Sequence, residues 1–280
     1  MRIIQSDEIT KTIKQMCMDA NYYLNEDIEE TLKAFRAKET NELPKNILDK
    51  ILENAEIARK KQVPICQDTG MAIVFLNIGQ DVHIEGANIK DAVNEGVRQG
   101  YSEGFLRKSV VADPIDRKNT NDNTPAIIHI DITEGDKLEI MIAPKGFGSE
   151  NMSRIAMFKP SEGIDAVKNF ILETVSLASS NPCPPIVVGV GIGGSFEKVA
   201  FLAKKALTRD IRQANENPYY ADLEAEMLEK INCLGIGPQG FGGLTTALGV
   251  NIETYPTHIA SLPVAVNISC HVTRHVKKVI

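Results

Sequence analysis

The stretch that most constrains this chain is Val63-Pro64-Ile65-Cys66-Gln67-Asp68-Thr69-Gly70. A soft sulfur ligand stands directly beside an amide, a carboxylate and a hydroxyl, and the glycine lets the backbone approach a ligand closely. Upstream, Pro44 precedes Ile47, Leu48, Ile51, Leu52, Ala55 and Ala58 at helical spacing. The helix they predict ends in Arg59-Lys60-Lys61, basic residues suited to the negative end of its dipole. Downstream, Met71 to Ile78 reads as a strand. A polar cluster with such flanks belongs at the edge of a core. The plain alternative is a strand entering a turn, with Cys66 as a small buried hydrophobe.

Five cysteines stand at 17, 66, 183, 233 and 270, an odd number at wide spacing. The N-terminus Met1-Arg2-Ile3-Ile4-Gln5-Ser6 has no apolar signal region, and no apolar run reaches transmembrane length, so a soluble, cytoplasmic chain without disulfides is expected. Cys17 lies in a helical pattern and Cys233 at the expected end of a helix, and both read as packing residues. Cys66, Cys183 and Cys270 sit among Pro, Gly, Asn, Asp and His, where metal binding or thiol chemistry is the better expectation. At 280 residues with 43% hydrophobic and 24% charged, the chain can build a substantial core. Its net charge of −6 argues against nucleic acid as a partner, because phosphate contacts need a basic surface.

Read in order, the sequence predicts a mixed α/β fold with an N-terminal helical region over residues 6–35, forming one continuous domain over 1–280. Ile89 to Tyr101 has helical spacing. Ala126 to Thr133 and Lys137 to Ala143 read as strands joined as a hairpin by Glu134-Gly135-Asp136. In Gly146-Phe147-Gly148-Ser149-Glu150-Asn151 the glycines suit backbone N–H groups cradling an anion, or a plain tight turn. A helix over 164–179 stops at Ser180-Asn181-Pro182-Cys183-Pro184-Pro185, where prolines fix the backbone around the thiol.

A buried strand from Ile186 leads into Gly191-Ile192-Gly193-Gly194 and a helix from Phe196. Gly189, Gly191 and Gly194 satisfy G-x-G-x-x-G, with Asp210 at ribose-binding distance along the chain. The long βαβ alternation of a dinucleotide domain is missing, so a turn that binds a carboxylate and simple close helix–strand packing are the competing explanations. His258 precedes a Pro-rich apolar strand that delivers Cys270, and is expected just outside a ligand set or as an ordinary satisfied polar residue. Residues 272–280, with Arg274, His275, Lys277 and Lys278, read as a solvated or partner-contacting tail.

Structural zinc favours paired Cys-x-x-Cys knuckles, which are absent. Electron-transfer iron–sulfur clusters normally take four thiolates. Three would leave one iron open, and such an iron beside carboxylate and amide groups is a Lewis acid for an oxygen substrate. Spacing alone does not bring the three cysteines together.

The motifs Cys66-Gln67-Asp68-Thr69-Gly70, Ser180-Asn181-Pro182-Cys183-Pro184-Pro185, Gly237-Pro238-Gln239-Gly240-Phe241-Gly242-Gly243 and Pro256-Thr257-His258 through Cys270-His271 resemble the iron-dependent class I fumarate hydratases. More narrowly, they are similar to the alpha subunit of the two-subunit form and of the related L-tartrate dehydratase. The resemblance implies a [4Fe-4S] cluster on Cys66, Cys183 and Cys270. It implies Asp68 as the group that moves a carbon-bound proton, with Gln67, Asp68, Arg107, Gly148, Asn151, Met152 and Ser153 as substrate contacts.

The implied reaction is reversible hydration of fumarate to (S)-malate, a tricarboxylic acid cycle step, with L(+)-tartrate dehydration as the alternative. Removing hydroxide and an unactivated proton demands both a Lewis acid and a base. A dicarboxylate also needs cationic or N–H partners at both ends. Arg107 is one such partner, and a separate beta subunit, in an α2β2 assembly, is expected to supply the rest. A non-catalytic iron–sulfur subunit that binds a carboxylate is a further alternative, against which Gln67, Asp68 and Arg107 count. A nicotinamide oxidoreductase is another.

Overall fold

The computed structural model describes residues 1–280. Along the chain run strand β1 (Arg2–Gln5), helices α1 (Ser6–Tyr22), α2 (Glu26–Lys38) and α3 (Glu42–Lys61), strands β2 (Met71–Gly79) and β3 (Val82–Glu85), and helix α4 (Ile89–Glu103). Then come β4 (Ile127–Thr133), β5 (Leu138–Lys145), the single-turn α5 (Phe147–Glu150), β6 (Arg154–Phe158) and α6 (Gly163–Ala178). The last third carries β7 (Ile186–Gly193), α7 (Phe196–Ala206), α8 (Pro218–Asn232), β8 (Ala247–Tyr255), β9 (Leu262–Ser269) and β10 (Val276–Val279). The expected mixed α/β class and N-terminal helical region are both present. Two compact units interleave along the sequence. Met1–Leu24, Ala55–Phe147 and Arg274–Ile280 form the first; Asn25–Asn54 and Gly148–Thr273 form the second.

In the first unit a mixed sheet runs in the order β10-β5-β2-β4, beside a small parallel pair, β1-β3. Ile9, Ile13, Met16 and Cys17 of α1 and Val93, Val97 and Tyr101 of α4 share a core with Val74, Leu76, Ile140 and Ile142 of the sheet. The two helices approach closely because α4 presents Gly96 and Gly100. A Cβ at Gly96 would stand 2.6 Å from Ile13 Cβ, and one at Gly100 2.8 Å from Cys17 Cβ.

Two expectations fail in this unit. The segments around Glu134-Gly135-Asp136 do not form a hairpin, because β2 lies between β4 and β5, parallel to one and antiparallel to the other. β2 carries the run Ala72 to Leu76, buried at every position, and a strand covered on both faces takes the interior place. The 133–137 segment bonds instead to the end of β2, through Gly79 N to Lys137 O, Gln80 N to Thr133 O and Asp81 N to Gly135 O. The C-terminal tail is no loose solvated segment either, since its exposed Lys277, Lys278 and Val279 are built into a strand. Val276–Val279 pairs antiparallel with β5 and closes the sheet edge, while Val272, Thr273 and Arg274 are buried.

The second unit is built on a sheet ordered β6-β9-β7-β8. Side chains of α6 and α8, among them Phe170, Ile171, Met227 and Ile231, pack against Val188, Val190, Val250 and Val266 on one face. Val199 and Ala203 of α7 pack with Ala265 on the other. All eight residues of β7 are buried, as a central strand covered on both faces requires.

This arrangement explains the glycine fingerprint. Gly189 and Gly191 lie inside β7 rather than in a turn, and a Cβ on either would run into the backbone oxygen of Ala203 or Val199 in α7. They let helix and strand backbones touch. Asp210 is occupied by Arg212, whose guanidinium it engages at 2.7 and 3.0 Å. Neither feature serves a dinucleotide.

Gly191→Ala should therefore destabilise the chain by at least about 1–3 kcal/mol, the usual cost of overpacking a core, read by urea or thermal unfolding. A neutral substitution would show that the glycine does not set the α7–β7 spacing.

Candidate functional site

In the first unit the segment Cys66–Gly70 lies just before β2, and almost every polar group in it is held. Asp68 is the hub. Its Oδ1 accepts from Gly70 N at 3.0 Å and its Oδ2 from Phe147 N at 2.9 Å, so each carboxylate oxygen is fixed by one backbone donor. The backbone N–H of Asp68 points to Cys66 Sγ at 3.4 Å, and the Cys66 thiol faces Gln67 Oε1 at 3.3 Å. Gly146 is what allows the carboxylate so close to the end of β5, since a Cβ there would meet Asp68 Oδ2 at 3.1 Å. Gly70, at φ +79, has no room for a side chain against Lys145 N at 2.7 Å.

The carbonyl groups of the same segment are taken by buried donors. Tyr101 Oη lies 2.8 Å from Thr69 O and 3.0 Å from Gly70 O, and Asn123 Nδ2 donates to Gly70 O at 3.2 Å. Burial pushes the Tyr101 phenol well above its ordinary range, which keeps it a hydrogen-bond donor. Thr69 Oγ1 donates to Arg107 O at 3.1 Å, placing the exposed Arg107 beside the segment.

Arg274 was not foreseen as part of this cluster. It is 5% exposed and donates through Nη2 to Asp68 O. A Lys/Arg-rich tail is ordinarily solvated, so nothing local in the sequence marks it. Only the β10–β5 pairing does.

In the second unit strand register does the gathering. β7 and β9 run antiparallel with Val187 opposite Ser269, so Cys183, just before β7, and Cys270, just after β9, come to the same end of the sheet. His271 Nδ1 lies 2.9 Å from Cys183 O. Gln239 Nε2 also lies 3.3 Å from this Nδ1, so the imidazole tautomer decides which of the two neighbours it bonds. Gln239 reaches the same place, with N and Nε2 at 2.7 and 2.9 Å from Pro184 O. Cys183 is exposed and adopts φ +55, left-handed backbone that costs a residue with a side chain about 1–3 kcal/mol. An exposed thiol on a strained turn is unlike the small buried hydrophobe that most free cysteines are. A cleft of about 370 Å³ opens beside it, lined by Asn46, Lys50, Asn54, Gln239 and His271 among others.

The Gly148–Ser153 segment joins that end as well, because β6 pairs with β9 from Arg154 opposite Val266. Ser153 Oγ accepts from Asn267 Nδ2 at 2.7 Å and Ile268 N at 3.1 Å. Glu150 accepts from Asn267 Nδ2 at 2.8 Å and pairs with Lys204, whose ammonium burial pushes below its ordinary range while Glu150 opposes the shift. Gly148 and Asn151 are exposed, and Met152 packs against the core of the unit.

His258 is not brought to these cysteines. It lies beyond the opposite end of β9 from Cys270, and eight residues of strand at roughly 3.3 Å each already span about 26 Å. Its Nδ1 accepts from Ala260 N at 3.2 Å, a local turn contact. The histidine that does adjoin both cysteine turns is His271, and its position next to Cys270 was the available signal.

Nowhere do three or more Cys, His, Asp or Glu side chains gather in a way that would hold a single metal ion. A four-iron cluster spreads its thiolates over different irons and needs no such gathering. None of the five cysteines is in a disulfide.

Residues 10–279 match the family model described as fumarate hydratase (Fumerase). The chain belongs to this family. A chain of Methanocaldococcus jannaschii, provisionally named L(+)-tartrate dehydratase subunit alpha, is 46% identical over 277 residues, covering 97% of both chains. L(+)-tartrate dehydratase subunit alpha of Escherichia coli K12 is 32% identical over 267 residues, covering 94% of this chain and 88% of that one. The Shigella sonnei protein of the same name is similar to the same extent.

In this fumarate hydratase family chain the cysteines separate by environment. Cys17 is fully buried, and burial pushes its thiol up to about 12. Cys183 is exposed, Cys66 and Cys270 are half-buried, and Cys233, expected to pack, is exposed because it caps α8 rather than sitting inside it. Alkylation of the metal-free native chain near neutral pH, followed by mass spectrometry, should modify Cys183 and Cys233 first and leave Cys17 untouched until unfolding. Modification of Cys17 at the rate of Cys233 would contradict that burial.

Proposed function

We propose that the chain is the alpha subunit of a hydro-lyase that interconverts a small 2-hydroxy dicarboxylate and its dehydrated product, with residues 1–280 acting as one catalytic domain. The observation that carries the reading is Asp68, a carboxylate two residues from Cys66 with both oxygens fixed by backbone N–H groups. Such a base is preorganised, since each oxygen keeps lone-pair capacity for a substrate proton while the group itself is held in place.

The donor set fits a [4Fe-4S] cluster on Cys66, Cys183 and Cys270. The strained, exposed Cys183 supports this, as does the Asp68 N–H on Cys66 Sγ, a hydrogen bond of the kind that stabilises a metal-bound thiolate. When bound, the cluster supplies a Lewis-acidic iron for the departing hydroxyl. Asp68 takes the proton from the neighbouring carbon. Gln67 orients the substrate, Arg107 pairs with one carboxylate, and N–H groups of Gly148–Ser153 receive carboxylate oxygen. His258 is carried as a supporting residue only, given its distance along β9.

Two substrates fit this chemistry. Hydration of fumarate to (S)-malate is supported by the description of the matching family. Dehydration of L(+)-tartrate is favoured by the names of the relatives at 46% and 32% identity. Those names, each an alpha subunit, also support a beta-type partner. We propose an α2β2 complex in which beta supplies the cationic contacts for the second carboxylate. No helix is long and apolar enough to cross a membrane, which accords with a cytoplasmic location.

The chain reconstituted anaerobically should bind about one four-iron cluster. Cys66→Ser, Cys183→Ser and Cys270→Ser should each lose it, while Cys17→Ser and Cys233→Ser keep it; equal sensitivity at all five refutes the ligand set. With the beta subunit present, Asp68→Asn should retain the cluster but lose roughly a hundredfold or more in kcat. Turnover assays against fumarate, malate and tartrate, with and without beta, decide the substrate. Robust turnover by alpha alone would overturn the split site.

A further inference from the structure

Arg274 carries more buried hydrogen-bonding capacity than the chain satisfies. It is 5% exposed; Nη2 donates to Asp68 O, but neither Nε nor Nη1 has a partner, and both are out of reach of solvent. Leaving donors of a buried guanidinium unpaired costs more than the one hydrogen bond returns. Among the buried side chains of the first unit Lys145 and Arg274 are the charged ones, while the Asp68 carboxylate is half-buried. Lys145 ends β5 with its backbone against Gly70, and Arg274 reaches Asp68. Arg274 therefore brings a buried positive charge to the segment that carries Cys66, where the half-buried Asp68 carboxylate is the anion already present.

Residue 68 links the cation to the sulfur. Its carbonyl is held by Arg274 Nη2, while its own N–H rests on Cys66 Sγ at 3.4 Å. We propose that Arg274 is a positioning residue that, through the Asp68 backbone, holds the N–H···S hydrogen bond on Cys66 and places a buried positive charge beside the anionic thiolate-bound cluster. This rests on the cluster reading above and deepens it. Hydrogen bonds to cluster sulfurs and nearby positive charge both favour the more negative, reduced state. Arg274 thereby raises the cluster's reduction potential and slows its loss. It touches no substrate, so it leaves KM unaffected.

The test uses the full chain reconstituted anaerobically, with beta added for kinetics, as wild type, Arg274→Lys and Arg274→Met. Circular dichroism and thermal unfolding of the cluster-free proteins establish folding. The midpoint potential comes from an EPR-monitored redox titration, and cluster loss from the rate of iron release to a chelator. Expected are a more negative potential in both variants, larger in Arg274→Met, and iron release roughly tenfold or more faster, as outer-sphere changes at metal sites typically give. KM should stay within about twofold while kcat falls, the signature of an interaction outside uniform substrate binding.

An unchanged potential and release rate in folded Arg274→Met overturns the proposal. So does a raised KM with an unmoved potential, which would make Arg274 a substrate contact. Failure of both variants to fold would make it a structural strut and also overturns it. If wild type takes up no cluster, the functional reading falls, and this proposal with it. If wild type takes up cluster and the variants match it, only this proposal falls.

Discussion

The antiparallel pairing of β7 with β9 decides where chemistry can take place in the second unit. One strand begins and the other ends at the same edge, with Val187 opposite Ser269, so turns 87 residues apart in sequence become neighbours. The β6–β9 pairing adds the Gly148–Ser153 segment, and Gln239 adds the glycine-rich 237–243 turn. Period-two side-chain geometry means that a one-residue slip would exchange the row of β9 that packs under α6 and α8 with the row under α7, and separate these turns. The buried runs Val187–Val190 and Pro263–Ile268 oppose such a slip.

The first unit achieves its local order differently. The β2–β5 register, with Met71 opposite Lys145, sets the segment against Gly146 and Phe147, and convergent hydrogen bonds from Gly70, Phe147, Tyr101, Asn123 and Arg274 then hold it. Loops of this kind are ordinarily mobile and solvated, because their backbone groups seek water. Here those groups are claimed by buried protein donors. That suits a base, since preorganisation lowers the reorganisation a reaction must undergo.

Much of this was legible in the sequence where the signal is local. The apolar spacing of Ile47 to Ala58, the run Met71 to Ile78 and the stop at Ser180-Asn181-Pro182 placed α3, β2 and the end of α6 within a few residues. Motifs carried the family, because several short strings in the right order are improbable by chance. What stayed hidden depends on contacts distant in sequence. The 134–136 turn has every mark of a hairpin, yet a strand from some sixty residues earlier, better suited to the interior, takes the place between its arms. Arg274 looks like part of a basic tail until β10 fixes its position. Gly189 and Gly191 match a phosphate-binding pattern because that pattern and close helix packing ask the same thing of a residue: no side chain. His258 drew notice as a histidine near a special cysteine in sequence, but an intervening extended strand separates the two as widely as a chain of that length allows.

The glycines of β7 also have a mechanical consequence. With Ala203 O lying where a side chain on Gly189 would be, α7 sits at the minimum possible height above the sheet, and the next residue, Lys204, is thereby lowered into the interior to meet Glu150. The strand acts as a shim of zero thickness. Thickening it by a single methyl would lift the helix, withdraw the ammonium from its carboxylate, and loosen the Gly148–Ser153 segment without altering any atom of it. Control over that edge of the unit therefore resides in a strand whose relevant residues have nothing to contribute but their smallness.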